Sequence, residues 1–180
     1  MAEEYLDILN EQGETTGESH SYDEAHEKGL IHHAVHIWIL NSKKELLLQK
    51  RASNKRAYPD YWDISAAGHV SAGETSLQGS KRELKEELGI DLSDSAFQYL
   101  FTVKENIILN QGTYVNNEFQ DVYLVRLDSS QNEIKFDEVE VAGIKWVTID
   151  EFKKWIADEK YMMVPHAEEY SRLVTYLENL

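Results

Sequence analysis

The chain has 180 residues, 42% of them hydrophobic and 11% aromatic, enough for one well-buried core and too few for two comfortable ones. Lys and Arg number 18 against 33 Asp and Glu, a formal charge of -15, which argues against duplex nucleic acid or an anionic membrane surface as a partner. No cysteine is present, which excludes disulfides, thiolate zinc sites and cysteine nucleophiles.

A single domain over residues 1–180 is expected, with residues 1–30 as an N-terminal extension packing on it. The opening MAEEYLDILN lacks a basic start and an apolar run, so it does not read as a signal peptide. No apolar stretch approaches the ~20 residues that span a bilayer, and a soluble cytoplasmic protein is the expectation, monomer or homodimer being left open.

In chain order, Glu4 to Leu9 and Glu18 to His20 flank the turn-rich Asn10-Glu11-Gln12-Gly13-Glu14, which predicts a strand, a turn and a second short strand. Tyr22 to Lys28, ended by Gly29, predicts a short helix. His32 to Leu40 and Leu46 to Gln49 are strand-like on either side of Asn41-Ser42-Lys43-Lys44, the pattern of a hairpin. The next segment breaks the acidic trend: Lys50, Arg51, Lys55 and Arg56 lead into the aromatic turn Tyr58-Pro59-Asp60-Tyr61-Trp62. It reads equally as a basic solvated loop or as a phosphate grip, with Arg51 and Lys55 the best placed for the second role.

Thr75 and Gln78 form a capping box and Gly89 supplies a left-handed stop, so Ser76 to Leu88 is predicted helical. Leu77, Leu84 and Leu88 fall on one stripe, the buried face. Glu83, Glu86 and Glu87 gather on a face roughly 120° away. Three carboxylates so close repel one another unless a cation lies between them, and all-oxygen ligands suit Mg²⁺ first and Mn²⁺ second. Gly68 and Gly73 flank a turn that brings backbone near these carboxylates, so that a carbonyl can join the metal shell.

Further on, Phe97 to Glu105 and Thr113 to Leu127 have strand character around the turn Asn110-Gln111-Gly112, Ile134 to Phe136 reads as an edge strand, and Gly143 to Val147 as another strand. Asp150 opens a helix through Trp155, and Pro165 opens a terminal helix ending near Asn179, with Leu173, Val174 and Leu177 on its apolar side. Late helices, a catalytic-looking helix and about six strands in a mixed sheet fit an α/β/α sandwich.

Gly68, five residues, Glu74, seven residues and then Arg82-Glu83-Leu84-Lys85-Glu86-Glu87-Leu88-Gly89-Ile90 match every position of the Nudix signature, and the chain resembles that hydrolase superfamily. Outside it, Ile31 to Trp38, Gln49 to Pro59 and Gly68-His69 are similar to the branch related to isopentenyl-diphosphate isomerase. The resemblance implies the Nudix α/β/α sandwich, with the signature helix on one side of the sheet and the terminal helices on the other. It also implies metal-assisted water attack on the P-O-P linkage of a small-molecule diphosphate, either a nucleoside diphosphate derivative or a related organic diphosphate. Glu83, Glu86 and Glu87 are then metal ligands with the Gly68 carbonyl, Glu74 and Arg82 a structural ion pair, and Arg51, Lys55 and His69 substrate contacts.

The general base is open. Glu83 and Glu118 are the leading candidates, ahead of Glu138 and Glu140, with Glu87 beside Glu83 in the catalytic set. The isomerase itself is the alternative, disfavoured because Ala67 stands where it carries a cysteine and because this helix keeps every hydrolase carboxylate. A non-catalytic nucleotide-binding module is the third reading. His26, His32, His69 and Glu118 lie at or near isomerase metal positions; a hydrogen-bonded pocket lining is preferred to a second metal site there. Tyr58, Trp62, Phe119 and Tyr123 either stack a base or fill core.

Overall fold

The protein is described here by a computed structural model covering residues 4–130 and 133–180. Strands β1 (Tyr5–Leu9) and β2 (Thr15–Ser21) form an antiparallel pair, followed by helix α1 (Tyr22–Lys28). The main sheet contains β3 (His32–Leu40), β4 (Glu45–Arg51), β5 (Trp62–Asp63), β6 (Ala66–His69), β7 (Phe97–Leu109), β8 (Tyr114–Arg126) and β9 (Val141–Thr148). Its path is β5-β4-β3-β8-β7, with β6 paired to β3 and β9 to β4. Helix α2 (Ser76–Leu88) carries the glutamates; α3 (Ile149–Ala157) and α4 (Ala167–Glu178) come last.

Strand β3 organises the layers because its residues alternate between two cores. Val35, Ile37 and Ile39 face a cluster with Leu84 and Leu88 of α2, while Trp38 and Leu40 face one with Phe152 of α3 and Tyr170, Leu173 and Leu177 of α4. The sheet is thus covered on both faces, the sandwich expected from the sequence. The capping box at Thr75 and the left-handed Gly89 bound α2 at the predicted residues. Leu84 is fully buried between α2 and the sheet. Replacing it with Ala is expected to cost about 3 kcal/mol in urea denaturation; a cost below ~1 kcal/mol would contradict this packing.

One expectation holds at its turn only, and another is corrected. The hairpin between β3 and β4 is pinned only at Leu40↔Leu46; beyond that point β3 pairs with β6 and, in parallel, with β8, whereas β4 pairs with β9 and β5. Sequence neighbours usually pair, but here the long-range partners win and the two strands splay into a fork. The edge strand at Ile134 to Phe136 does not form. Ile134 is instead buried in the α2-side core, and Asp137 donates its N–H to the Glu87 carbonyl at 2.9 Å, so this segment covers the C-terminal end of α2.

The first strands pack on the sheet side of the signature loop. Ala72 donates its N–H to the Tyr5 carbonyl at 2.7 Å and Leu9 donates to the Ile31 carbonyl at 2.8 Å, while Gly73 donates to Asp7 at 2.8 Å. Through these bonds residues before β3 hold the loop that precedes α2.

Candidate active site

A cavity of about 1060 Å³ opens along the sheet face that carries His32, Ala34, His36 and Trp38. Ala34 and Ala67 line it as small residues, and loop residues Asn54 to Tyr58, α1 and the far ends of β7 and β8 form its walls. Glu83, Glu86 and Glu87 also line it although α2 packs on the opposite face of β3. The fork between β3 and β4 resolves this, because the short strand β6 occupies it and brings Ala67 and Gly68 against the helix carboxylates.

Gly68 is required by that approach: a Cβ built there would overlap the Glu83 carboxyl group. Glu87 is buried, and one of its oxygens, Oε2, accepts from the Ala67 N–H and from Gln49 Nε2, each at 3.0 Å. Its other oxygen carries no donor among the described residues. Burial pushes the Glu87 carboxyl up to about 7. Burial likewise pushes Glu83 up to about 8; Arg82 opposes the rise, and the neighbouring Glu87 and Glu86 add to it. Crowded, partly desolvated carboxylate oxygens beside a close-approaching backbone are the donor set of a hard divalent cation, so the residues fit such an ion.

Arg82 holds the constellation together. Its Nη2 bonds Glu74 at 3.0 Å and the His69 carbonyl at 2.8 Å, and its Nη1 bonds Glu83 at 2.6 Å and Glu86 at 3.2 Å. The Glu74–Arg82 ion pair therefore ties the loop to the helix. Arg51 and Lys55 both line the cavity, but neither is idle: Arg51 donates to Asp63 and to the Ala57 carbonyl, each at 3.1 Å, and Lys55 pairs with Glu140.

His26, His32, His69 and Glu118 come together with ligand atoms all within 4.8 Å of one another. His26 Nδ1 donates to the Tyr22 carbonyl at 2.7 Å, leaving Nε2 buried and unpartnered, and burial reinforced by His69 pushes this ring down to about 4. His32 Nδ1 donates to the Leu30 carbonyl at 2.8 Å, which turns Nε2 toward Glu118 Oε1 at 3.3 Å; His69 Nε2 reaches the same oxygen at 3.1 Å. Glu118 Oε2 accepts from Gln120 at 2.9 Å. Burial would raise the Glu118 carboxyl, but the two histidines outweigh it and hold the group well below its ordinary value. Three imidazole nitrogens converging on a carboxylate, one of them neutral with an unused lone pair, form a donor set that suits a transition ion as well as a pocket lining.

Of the aromatic residues proposed to stack or fill core, Tyr58 lines the cavity. Trp62 packs on Trp155 with centroids 5.4 Å apart, Phe119 lies under Lys104, and Tyr123 bonds Ser76 at 2.9 Å on the α2 side. Glu140 lines the cavity and Glu138 is exposed away from it. Sequence reasoning missed His166, Asp63 and Glu105, which line the deep end, and Glu169 behind them. One signal was available: Glu169 shares the buried face of α4 with Leu173 and Leu177, an acid inside an apolar stripe.

Comparison with known proteins places these features in a lineage. The NUDIX domain family matches residues 30–167. Over 178 residues the chain is 41% identical to Nudix hydrolase 3 of Arabidopsis thaliana, a match covering 96% of this chain but 23% of that protein, so the chain spans about a quarter of that relative's length. It is 31% identical over 154 residues to the isopentenyl-diphosphate Delta-isomerase of Klebsiella pneumoniae, covering 83% of this chain and 78% of that one. In fold it resembles the crystal structure of a Deinococcus radiodurans protein, with a TM-score of 0.71 at 24% identity over 97% of this chain and 99% of the other.

Proposed function

The chain belongs to the NUDIX domain family, and from that premise we propose that it is a divalent-metal-dependent hydrolase of the P-O-P linkage in a small organic diphosphate, foremost a nucleoside diphosphate derivative. The observation that carries this reading is the complete carboxylate set Glu83, Glu86 and Glu87 delivered through the strand fork onto Gly68.

Glu83, Glu86, Glu87 and the Gly68 carbonyl would hold the ion, Mg²⁺ by the hardness of its donors or Mn²⁺ in its place. Such an ion, when bound, neutralises charge on the diphosphate and makes an attacking water acidic. The water oxygen forms a bond to phosphorus, the bridging P–O bond breaks, and the bridging oxygen leaves with the other phosphate. Of the two leading candidates for base, Glu83 is the better: Glu118 is an acceptor for His32, His69 and Gln120 and takes a proton poorly at neutral pH. Glu118 instead joins His26, His32 and His69 as a second metal-binding group. Arg51 and Lys55 grip phosphate oxygens by sharing donors now given to Asp63 and Glu140.

An isomerase relative is 31% identical over 154 residues, but Ala67 offers no thiol for proton transfer, and isopentenyl diphosphate is expected to give no allylic product. The test is a panel of nucleoside diphosphate derivatives and isoprenoid diphosphates with Mg²⁺ or Mn²⁺, products being identified by mass. Hydrolysis at the diphosphate that EDTA abolishes and Mg²⁺ restores is the expected result. No turnover across the panel, or turnover indifferent to EDTA, would sink the proposal.

A further inference from the structure

The buried pair His36 and Glu169 has no part in the chemistry above. Glu169, on α4, is 1% exposed and spends both oxygens on donors: His36 Nδ1 at 2.6 Å and Trp38 Nε1 at 2.7 Å. Glu169 therefore fixes the His36 ring, with Trp38 fixing Glu169 in turn. The ring lines the cavity while Glu169 does not, and its Nε2 has no hydrogen-bond partner among the described residues yet is not sealed from the cavity.

Its place is close to the reacting end. On β3, His36 stands in register with Ala67 of β6, and the Ala67 N–H is the donor that anchors Glu87. Paired residues on antiparallel strands have Cα atoms about 5 Å apart. A diphosphate held near Glu83 and Glu87 would thus lie beside the His36 ring.

The other cationic groups of the cavity have their acidic partners in the same lining. Arg51 and His166 face Asp63, Lys55 faces Glu140, Arg56 faces Asp23, and Arg82 faces Glu83 and Glu86. An anion entering there meets the counter-charge alongside the cation. At His36 the nearest counter-charge, Glu169, sits behind the ring, and Asp63 in the lining acts on it more weakly. Burial and the neighbouring His166 disfavour a charged imidazole, but Glu169 outweighs them and raises His36 above the ordinary histidine value; an imidazolium there offers an N–H donor at both ring nitrogens.

We propose that His36, its ring fixed by Glu169, is a phosphate-binding donor on the cavity floor, holding a diphosphate oxygen of the substrate through Nε2. Glu169 is then a positioning residue for recognition, contributed from beyond the span that the family match covers. The inference rests on the hydrolase reading of the same cavity. A metal site at His36, His166 and Glu169, whose ligand atoms also lie within 4.8 Å of one another, would instead retain a transition metal that is lost with His36.

The probe is methylenediphosphonate with Mg²⁺, a diphosphate whose bridge cannot be hydrolysed, so binding is read without turnover. In protein labelled with ¹⁵N-histidine, the His36 Nε2 signal is expected to move on saturation. By calorimetry, affinity is expected to fall at least tenfold in His36→Asn and about threefold to tenfold in Glu169→Gln, and the double variant to bind no worse than His36→Asn alone. An unmoved Nε2 signal, wild-type affinity in His36→Asn, additive losses, a transition metal retained by wild type and lost with His36, or no binding by wild type at millimolar probe would each overturn it. Should His36→Asn fail to fold, the wild-type spectrum and Glu169→Gln still decide. A chain that hydrolyses the substrate panel yet shows no response at His36 overturns this inference alone; one that binds the probe through His36 but cleaves nothing overturns the hydrolase reading alone.

Discussion

Glu87→Gln is expected to lower turnover of the diphosphate identified by the substrate panel by about 100- to 1,000-fold, the loss of roughly 3 to 4 kcal/mol of transition-state stabilisation. The fold should be unaffected. Glu87 Oε2 accepts both protein hydrogen bonds, from Ala67 and Gln49, and the carbonyl oxygen of a glutamine can occupy that position without loss. What changes is the other atom, the oxygen with no donor among the described residues, which becomes an amide nitrogen and cannot ligate a cation. Burial raises the Glu87 carboxyl to about 7, so its charge is costly in the folded protein without metal. Removing that charge should leave the melting temperature of the metal-free protein unchanged or raised. Steady-state kinetics beside calorimetry separates the two effects: a variant within tenfold of wild-type turnover would remove Glu87 from the metal shell, and one that melts early would make its role structural.

The sequence carried α2 almost completely because each of its determinants is local. Thr75, Gln78 and Gly89 act within a turn of the helix ends, and the Leu84 and Leu88 stripe needs only the helical period to be visible. The fork in the sheet was not legible for the opposite reason. Nothing in Asn41 to Lys44 says that β3 will leave β4 after one pair; that is decided by β8 and β9, about 80 and 100 residues further on, whose partners a single sequence does not reveal. Ile134 to Phe136 failed similarly, since a short apolar run covering a helix end reads like one joining a sheet edge.

The same division runs through the site. Glu83, Glu86 and Glu87 sit on one helix, so their convergence follows from spacing. His26, His32, His69 and Glu118 converge from α1, β3, β6 and β8, and the alternation of His32 with Ala34 and His36 along one strand could not show that three other elements deliver partners to one end of it. His166, Asp63 and Glu105 were overlooked because a polar residue buried by distant elements reads in sequence like a solvated one; only Glu169, an acid on an apolar face, carried a mark of its own.

Gly68→Ala tests the fork and the chemistry together, and it is expected to remove activity while sparing the fold. The added methyl group would overlap the Glu83 carboxyl, the far end of a flexible side chain, and not a backbone atom. Glu83 can swing aside at small cost, because Gly68 lies on β6 in regular pairing with Val35 and not in the left-handed backbone region that glycine alone tolerates. The melting temperature should therefore stay within a few degrees of wild type. Turnover should not. A carboxylate displaced by an ångström from the position where base and backbone carbonyl meet is expected to lose about 100-fold in kcat. Raising Mg²⁺ should recover little of that loss, since occupancy is not the only thing disturbed. If Gly68→Ala instead retained full turnover, neither Glu83 nor the Gly68 carbonyl could have the role proposed for it; if it unfolded, the close approach would serve packing and not the reaction.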